Sequence, residues 1–235
     1  MKIKAVLFDL DGTLLPMDQD EFLRGYFSLL AKKAAKRGYD AKELYDAIWQ
    51  GTFEMIKNDG KRTGEEVFWV TFKRIFGERA ESDKPMFEEF YAKDFDGAKG
   101  FCSFNPEAAK CVREIKKMGY RAALATNPVF PRIATEKRIR WAGLEPSDFE
   151  IYTTYETVGF CKPNPKYYEW VAGALGLSPE ECLMVGNDTG EDMVAKNTGM
   201  KVFLLTDCLI NKTDSPENYP HGSFPELMKF ISELS

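Results

Sequence analysis

The chain has 235 residues, 44% of them apolar and 29% charged, with 32 basic against 37 acidic side chains and a net charge of −5. That composition is too apolar for a disordered chain, and its acidic balance argues against a nucleic-acid partner. No apolar run nears the ~18 residues that span a bilayer, and the first run lacks the length and cleavage site of an export signal, so no membrane partner is expected and the cytoplasm is the expected compartment.

In chain order, residues 3–8 read as a buried strand that runs straight into Asp9. Residues 17–97 then break any strand pattern. Helical periodicities run through Phe22, Tyr26, Phe27 and Leu30, through Leu44, Ala47 and Ile48, and through Phe68, Trp69, Phe72, Ile75 and Phe76. Gly38, the turn Asn58-Asp59-Gly60 and Gly77 interrupt them. Of the 32 aromatic residues, 15 fall in these 81 positions, so the segment is expected to be an inserted helical domain with a core of its own. Lys57, Lys61 and Arg62 around its turn are expected to be solvated.

Past the insert, strands and helices alternate. Asn105-Pro106 caps a helix carrying Ala108, Cys111, Val112, Ile115 and Met118 on one face and closed by Gly119. Residues 121–125 form a strand that ends in Thr126-Asn127. Asn164-Pro165 opens a helix with Tyr168, Val171, Ala172 and Leu175 on one face, and Ser178-Pro179-Glu180-Glu181 is a capping box. The strand 182–186 ends in Asn187-Asp188, a helix over 191–198 stops at Gly199, and the strand 201–205 ends in Thr206-Asp207. Leu227, Met228, Ile231 and Leu234 mark a closing helix. This alternation predicts a doubly wound α/β parallel-sheet domain, made of residues 1–16 and 98–235, interrupted by the helical domain 17–97.

Two residue types narrow the chemistry. His221 is the only histidine, so neither a multi-histidine zinc site nor an obvious Ser-His-Asp triad can form. The five cysteines are odd in number and lack C-x-x-C spacing, which predicts free thiols.

In open α/β sheets, ligands bind beyond the carboxyl ends of the strands. Asp9, Asp11, Thr126, Asn127, Asp188 and Asp192 lie there, and Lys162 precedes Pro163-Asn164-Pro165. Crowded carboxylates repel unless a cation joins them, and an all-oxygen donor set suits Mg²⁺. Asp9 and Asp11 share a strand face, and Gly12 lets the chain turn after them. One carboxylate can attack while the other handles a proton. Lys162, Mg²⁺ and amides near Thr126 would neutralise a phosphoryl group, which is most of what phosphoryl transfer requires.

The motifs Asp9-Leu10-Asp11-Gly12-Thr13-Leu14, Thr126-Asn127, Lys162-Pro163 and Gly186-Asn187-Asp188-Thr189-Gly190-Glu191-Asp192, in that order, resemble those of the haloacid dehalogenase superfamily of hydrolases. The resemblance covers the whole chain, because that family's helical-cap subgroup places its cap where residues 17–97 lie. It implies a Rossmann-like core and an aspartyl-phosphate formed on Asp9. It implies that Asp11 is the acid and base, with its backbone carbonyl on Mg²⁺. Gly12, Thr126 and the Asn127 amide would serve substrate binding, and Lys162 would pair with Asp9. Asp188 would bind the metal directly or through water, and Asp192 would support the metal site or Lys162. The family commonly has Gly-Asp in its fourth motif; here Asn187 intervenes.

The activity so implied is a Mg²⁺-dependent phosphatase for a small phosphorylated metabolite. Family dehalogenases and phosphonate hydrolases generally lack an acid at the position of Asp11. Family sugar phosphomutases keep both aspartates but use a cap histidine, and residues 17–97 contain none. A phospho-accepting signalling domain is the other alternative, although such domains are about half this length and lack the insert. An inactive scaffold ranks last, since no motif residue is missing. A cap must open for substrate, with hinges expected near residues 16–19 and 95–100.

Overall fold

In the computed structural model, which describes residues 2–211 and 213–234, Val6 and Phe8 turn to one face of the central strand and Ala5 and Leu7 to the other, all fully buried. Burial on both faces is why that strand reads as an unbroken apolar run. The strands are β1 (Ala5–Phe8), β2 (Arg121–Leu124), β3 (Cys182–Gly186), β4 (Lys201–Leu205) and β5 (His221–Gly222). They form one parallel sheet in the order β2-β1-β3-β4-β5. Phe8 lies beside Leu124 on one side and Val185 on the other, so the chain leaves β1 where the strand order switches direction.

Helices cover both faces. Helix α6 (Pro106–Lys117) and α9 (Phe224–Ser232) lie on the Val6 face, with Val112, Ile115, Leu227 and Ile231 in its core. Helix α8 (Pro165–Ala174) and the 3-10 stretch Asp192–Thr198 lie on the Ala5 face with Tyr168, Val171 and Met193. Asn105 and Asn164 cap α6 and α8 through their side chains, each followed by proline, as their sequences require. The stretch after Glu191 is a 3-10 coil and not an α-helix, which sets buried Asp192 and Ala195 in one row.

Residues 19–92 form helices α1 (Gln19–Ala35), α2 (Ala41–Ile56), α3 (Gly64–Phe76), α4 (Arg79–Ser82) and α5 (Lys84–Ala92), followed by a 3-10 turn over Asp94–Phe101. Asp18, Asp40 and a Thr63–Glu66 capping box start the three long ones. Phe72 is fully buried at the centre, with Phe87 at 5.3 Å and Phe68 at 5.6 Å between ring centroids. This core is not self-contained. It runs on through Phe22, Phe95 and Phe130 into the cluster under the sheet. The two linkers meet where Ser103 N donates to Pro16 O at 2.8 Å.

Two further elements depart from the sequence reading. Strand β5 is only two residues long, too short for a pattern. Helix α7 (Arg132–Trp141) has Thr135 and Arg138 on its buried side, so no apolar stripe marks it. Among the described residues, no helix is long and apolar enough to cross a membrane, and all five cysteines are unbridged.

Candidate active site

Asp9 begins where β1 ends, held by its N–H to Val185 O at 2.9 Å. Lys162, 1% exposed, reaches it from the loop before α8: Nζ lies 2.8 Å from Asp9 Oδ1 and 2.5 Å from Asp192 Oδ1. Burial alone would lower the Lys162 pKa, but the Asp192 and Asp9 carboxylates outweigh it and hold the ammonium charged well above the usual lysine value. The Thr13 hydroxyl stands 3.0 Å from Asp9 Oδ2 and 2.9 Å from Asn187 Oδ1, and its one proton serves either.

The loop after β3 is built to hold Asp192 and Asp188. Asp192 Oδ2 accepts from the backbone N–H of Asn187 and of Asp188, both at 3.0 Å, while its Oδ1 faces Lys162. Asp188 Oδ1 accepts from the N–H of Gly190 at 2.7 Å and of Glu191 at 3.1 Å. Asn187, the residue that departs from the family pattern, is a tie between loops. Its Nδ2 donates to Cys208 O at 2.6 Å beyond β4, and its Oδ1 faces Thr13 beyond β1. Gly12 sits against it with φ +83°, and a Cβ there would lie 2.3 Å from Asn187 Nδ2.

Asp11 has a partner that the motifs do not name. Arg138 of α7, fully buried, donates from Nη1 to Asp11 Oδ2. Its guanidinium also lies 4.3 Å from the centre of the Phe130 ring. Burial raises the Asp11 pKa above the ordinary carboxylate value, with Arg138 pulling against it. Asp11 Oδ1 is buried with no hydrogen-bond partner among the described residues.

The second motif closes the remaining side. The Thr126 carbonyl accepts from Thr153 Oγ1 at 2.6 Å and from Tyr167 OH at 2.7 Å, which pins the end of β2. Asn127 Nδ2 donates to Glu191 Oε2 at 3.1 Å, and its Oδ1 is buried without a partner among the described residues. Asp11, Asn127 and Glu191 floor a cavity of about 240 Å³ roofed by α1, α2, α3 and α5. Sequence reasoning passed over both Arg138 and Glu191. Glu191 lay inside a quoted motif, whereas Arg138 carried no local signal.

Among the described residues, no three His, Cys, Asp or Glu side chains stand together as a formed cation site. The chain itself supplies two cations to these crowded carboxylates. Lys162 lies between Asp9 and Asp192, and Arg138 holds Asp11. The side chains that follow β1 and β3, those of Asp9 and Asp188, are nevertheless oxygen donors. Such a set fits a hard divalent ion and not a soft one.

The family model of haloacid dehalogenase-like hydrolases matches residues 3–195. The chain is similar to the glyceraldehyde 3-phosphate phosphatase of Methanothermobacter thermautotrophicus, 30% identical over 212 residues that cover 86% of this chain and 85% of the relative. It is also similar to the pyrophosphatase PpaX of Halalkalibacterium halodurans, 26% identical over 208 residues that cover 87% and 84%. Its fold is similar to that of a 2-haloacid dehalogenase from Pseudomonas syringae, with TM-score 0.69, 17% identity, and coverage of 99% of this chain and 100% of that one. The chain belongs to the haloacid dehalogenase-like hydrolases and is a phosphatase of that family.

Proposed function

We propose that this phosphatase hydrolyses the phosphate monoester of a small metabolite through a covalent intermediate on Asp9, with Mg²⁺ as cofactor. The observation that carries the reading is the fully buried Lys162 ion-paired to Asp9, two residues from a buried Asp11 oxygen that has no partner among the described residues.

In the first step a carboxylate oxygen of Asp9 bonds to phosphorus and the ester oxygen leaves. Asp11 gives that oxygen its proton, so the product is a neutral alcohol. In the second step Asp11, now a carboxylate, takes a proton from water as the water oxygen bonds to phosphorus. The bond from phosphorus to Asp9 breaks, and inorganic phosphate is released. Lys162, the Asn127 amide and Thr126 hold the phosphoryl oxygens, and Asp192 positions Lys162. Asp9, Asp188 and the Asp11 carbonyl would hold Mg²⁺, which adds positive charge beside the phosphoryl group. Residues 17–97 act as the cap over a core of residues 1–16 and 98–235, and exclude water when closed.

The mutase alternative is weaker, because that chemistry asks for a polar cap and the cavity roof is largely apolar. A generic aryl phosphate assay tests the reading. Hydrolysis should require Mg²⁺, stop with a chelator and return when Mg²⁺ is restored. Asp9→Asn should abolish turnover with the melting temperature retained. Full activity in that variant would remove Asp9 as nucleophile, and a phosphoryl label that stays on the protein for many minutes would favour the signalling alternative.

A further inference from the structure

The cavity above Asp11 has an unusual lining for a site that handles a dianion. Its charged lining residues are Asp11 and Glu191, both acidic and both on the floor; no lysine or arginine lines it among the described residues. Its walls are Leu23, Leu30, Ile48, Phe68, Trp69 and Phe87. The hydroxyls of Tyr26 and Tyr91, which also line it, share one hydrogen bond at 2.8 Å, so one of their two protons remains to be given. Away from the floor, the other polar side chains of the lining are Gln19, Thr52 and Tyr155, with the indoles of Trp49 and Trp69.

The phosphoryl group is neutralised from outside this cavity, by Lys162, so the cavity itself meets only the leaving group. A leaving group with a second phosphate or a carboxylate would face Asp11 and Glu191 with no lysine or arginine lining the cavity among the described residues, and the nearby Arg138 guanidinium is already paired to Asp11. A polyhydroxylated one would bury hydroxyls that find few partners. An apolar one gains in proportion to the area it hides from water. The volume of about 240 Å³ gives room for a leaving group of on the order of eight heavy atoms. Trp49 and Ile56 line the cavity while remaining 40% and 37% exposed, so the route in from solvent is apolar too.

We propose that the substrate is a phosphate monoester of an uncharged, apolar alcohol, whose hydrocarbon part fills this cavity. This rests on the phosphatase reading above. It sets the chain apart from relatives named for glyceraldehyde 3-phosphate and pyrophosphate, whose leaving groups are polar or anionic.

A series of n-alkyl phosphates from propyl to octyl tests it, because leaving-group basicity stays constant while apolar area grows. With Mg²⁺ present, kcat/KM should climb about fourfold for each methylene buried until the cavity is full. Glycerol 3-phosphate, glyceraldehyde 3-phosphate and pyrophosphate should fall at least about tenfold below hexyl phosphate, whose chain is wholly buried. Non-hydrolysable alkylphosphonates should inhibit more tightly along the same series. Thr52→Lys, at a half-buried site on α2, should flatten the series and improve pyrophosphate. A flat series in the wild type, or a polar ester turned over faster than hexyl phosphate, overturns the substrate class while leaving the phosphatase reading intact. If no phosphate ester is hydrolysed, including the aryl phosphate, the phosphatase reading fails and this inference with it.

Discussion

Arg138 and Asp11 stand 127 positions apart and form an ion pair in which the guanidinium is fully buried. The pair gives Asp11 a fixed orientation: one oxygen is spent on Arg138 and the other is buried with no partner among the described residues. In the proposed role of proton donor to the leaving oxygen, Asp11 would gain from that preorganisation.

Removing one side of a buried pair leaves the other charge stranded. Arg138→Met should therefore cost about 3 kcal/mol, the low end of the range for such pairs because Asp11 keeps some solvent contact. Asp11→Asn in that background should recover part of the loss, with a coupling of about 1–3 kcal/mol in a denaturant double-mutant cycle. The single Arg138 variant should also lose more in kcat than in KM. Strictly additive effects would mean that the pair does not hold Asp11.

Gly12 is under two constraints at once. Its φ of +83° disfavours any side chain, and a Cβ would strike the Asn187 amide. Gly12→Ala should cost about 1–2 kcal/mol from the backbone alone, plus the collision. Asn187→Ala added to it should relieve the collision and leave the backbone share. Equal unfolding midpoints for Gly12→Ala and wild type would refute both constraints.

At one point the roof meets the loop of residues 154–160 through backbone hydrogen bonds. Gly64 N donates to Val158 O at 3.0 Å and Glu65 N to Tyr155 O at 2.8 Å. A Cβ on Gly159 would lie 2.5 Å from Arg62 O and 2.9 Å from Gly60 Cα, and backbone atoms cannot swing aside. Gly159→Ala should lift residues 17–97. The expected readouts are a larger radius of gyration by solution scattering and a fall in kcat/KM on the order of tenfold, with circular dichroism unchanged. An unaltered radius and KM would show that closure does not depend on this contact.

Burial pushes the thiols of Cys111 and Cys161 up to about 12, Cys102 to about 12 and Cys182 to about 11. A raised thiol pKa leaves less thiolate below it, so at pH 8 a group at 12 is ionised to only about one part in ten thousand. Ellman's reagent at pH 8 should label Cys208 promptly in the native protein and all five thiols after unfolding. Prompt labelling of all five without denaturant would contradict the packing around them.

The first, second and third motifs were legible because each sits at the end of a short apolar run or the start of a capped helix, and those are local patterns. Strands β1 to β4 read clearly for the same reason: a strand covered on both faces is apolar at nearly every position. Helix α7 escaped because its buried side carries Thr135 and Arg138, so the pattern that marks other helices was absent there.

Asp9, Asp11, Lys162 and Asp188, their order along the chain and the helical character of residues 17–97 are thus properties of the linear sequence, since adjacent residues encode them. The contact between Arg138 and Asp11, the tie that Asn187 makes across three loops and the apolar walls above the acid arise only on folding. Their members come from segments that no local rule relates, and packing alone decides which side chains share the low-dielectric space where a charge must find its partner.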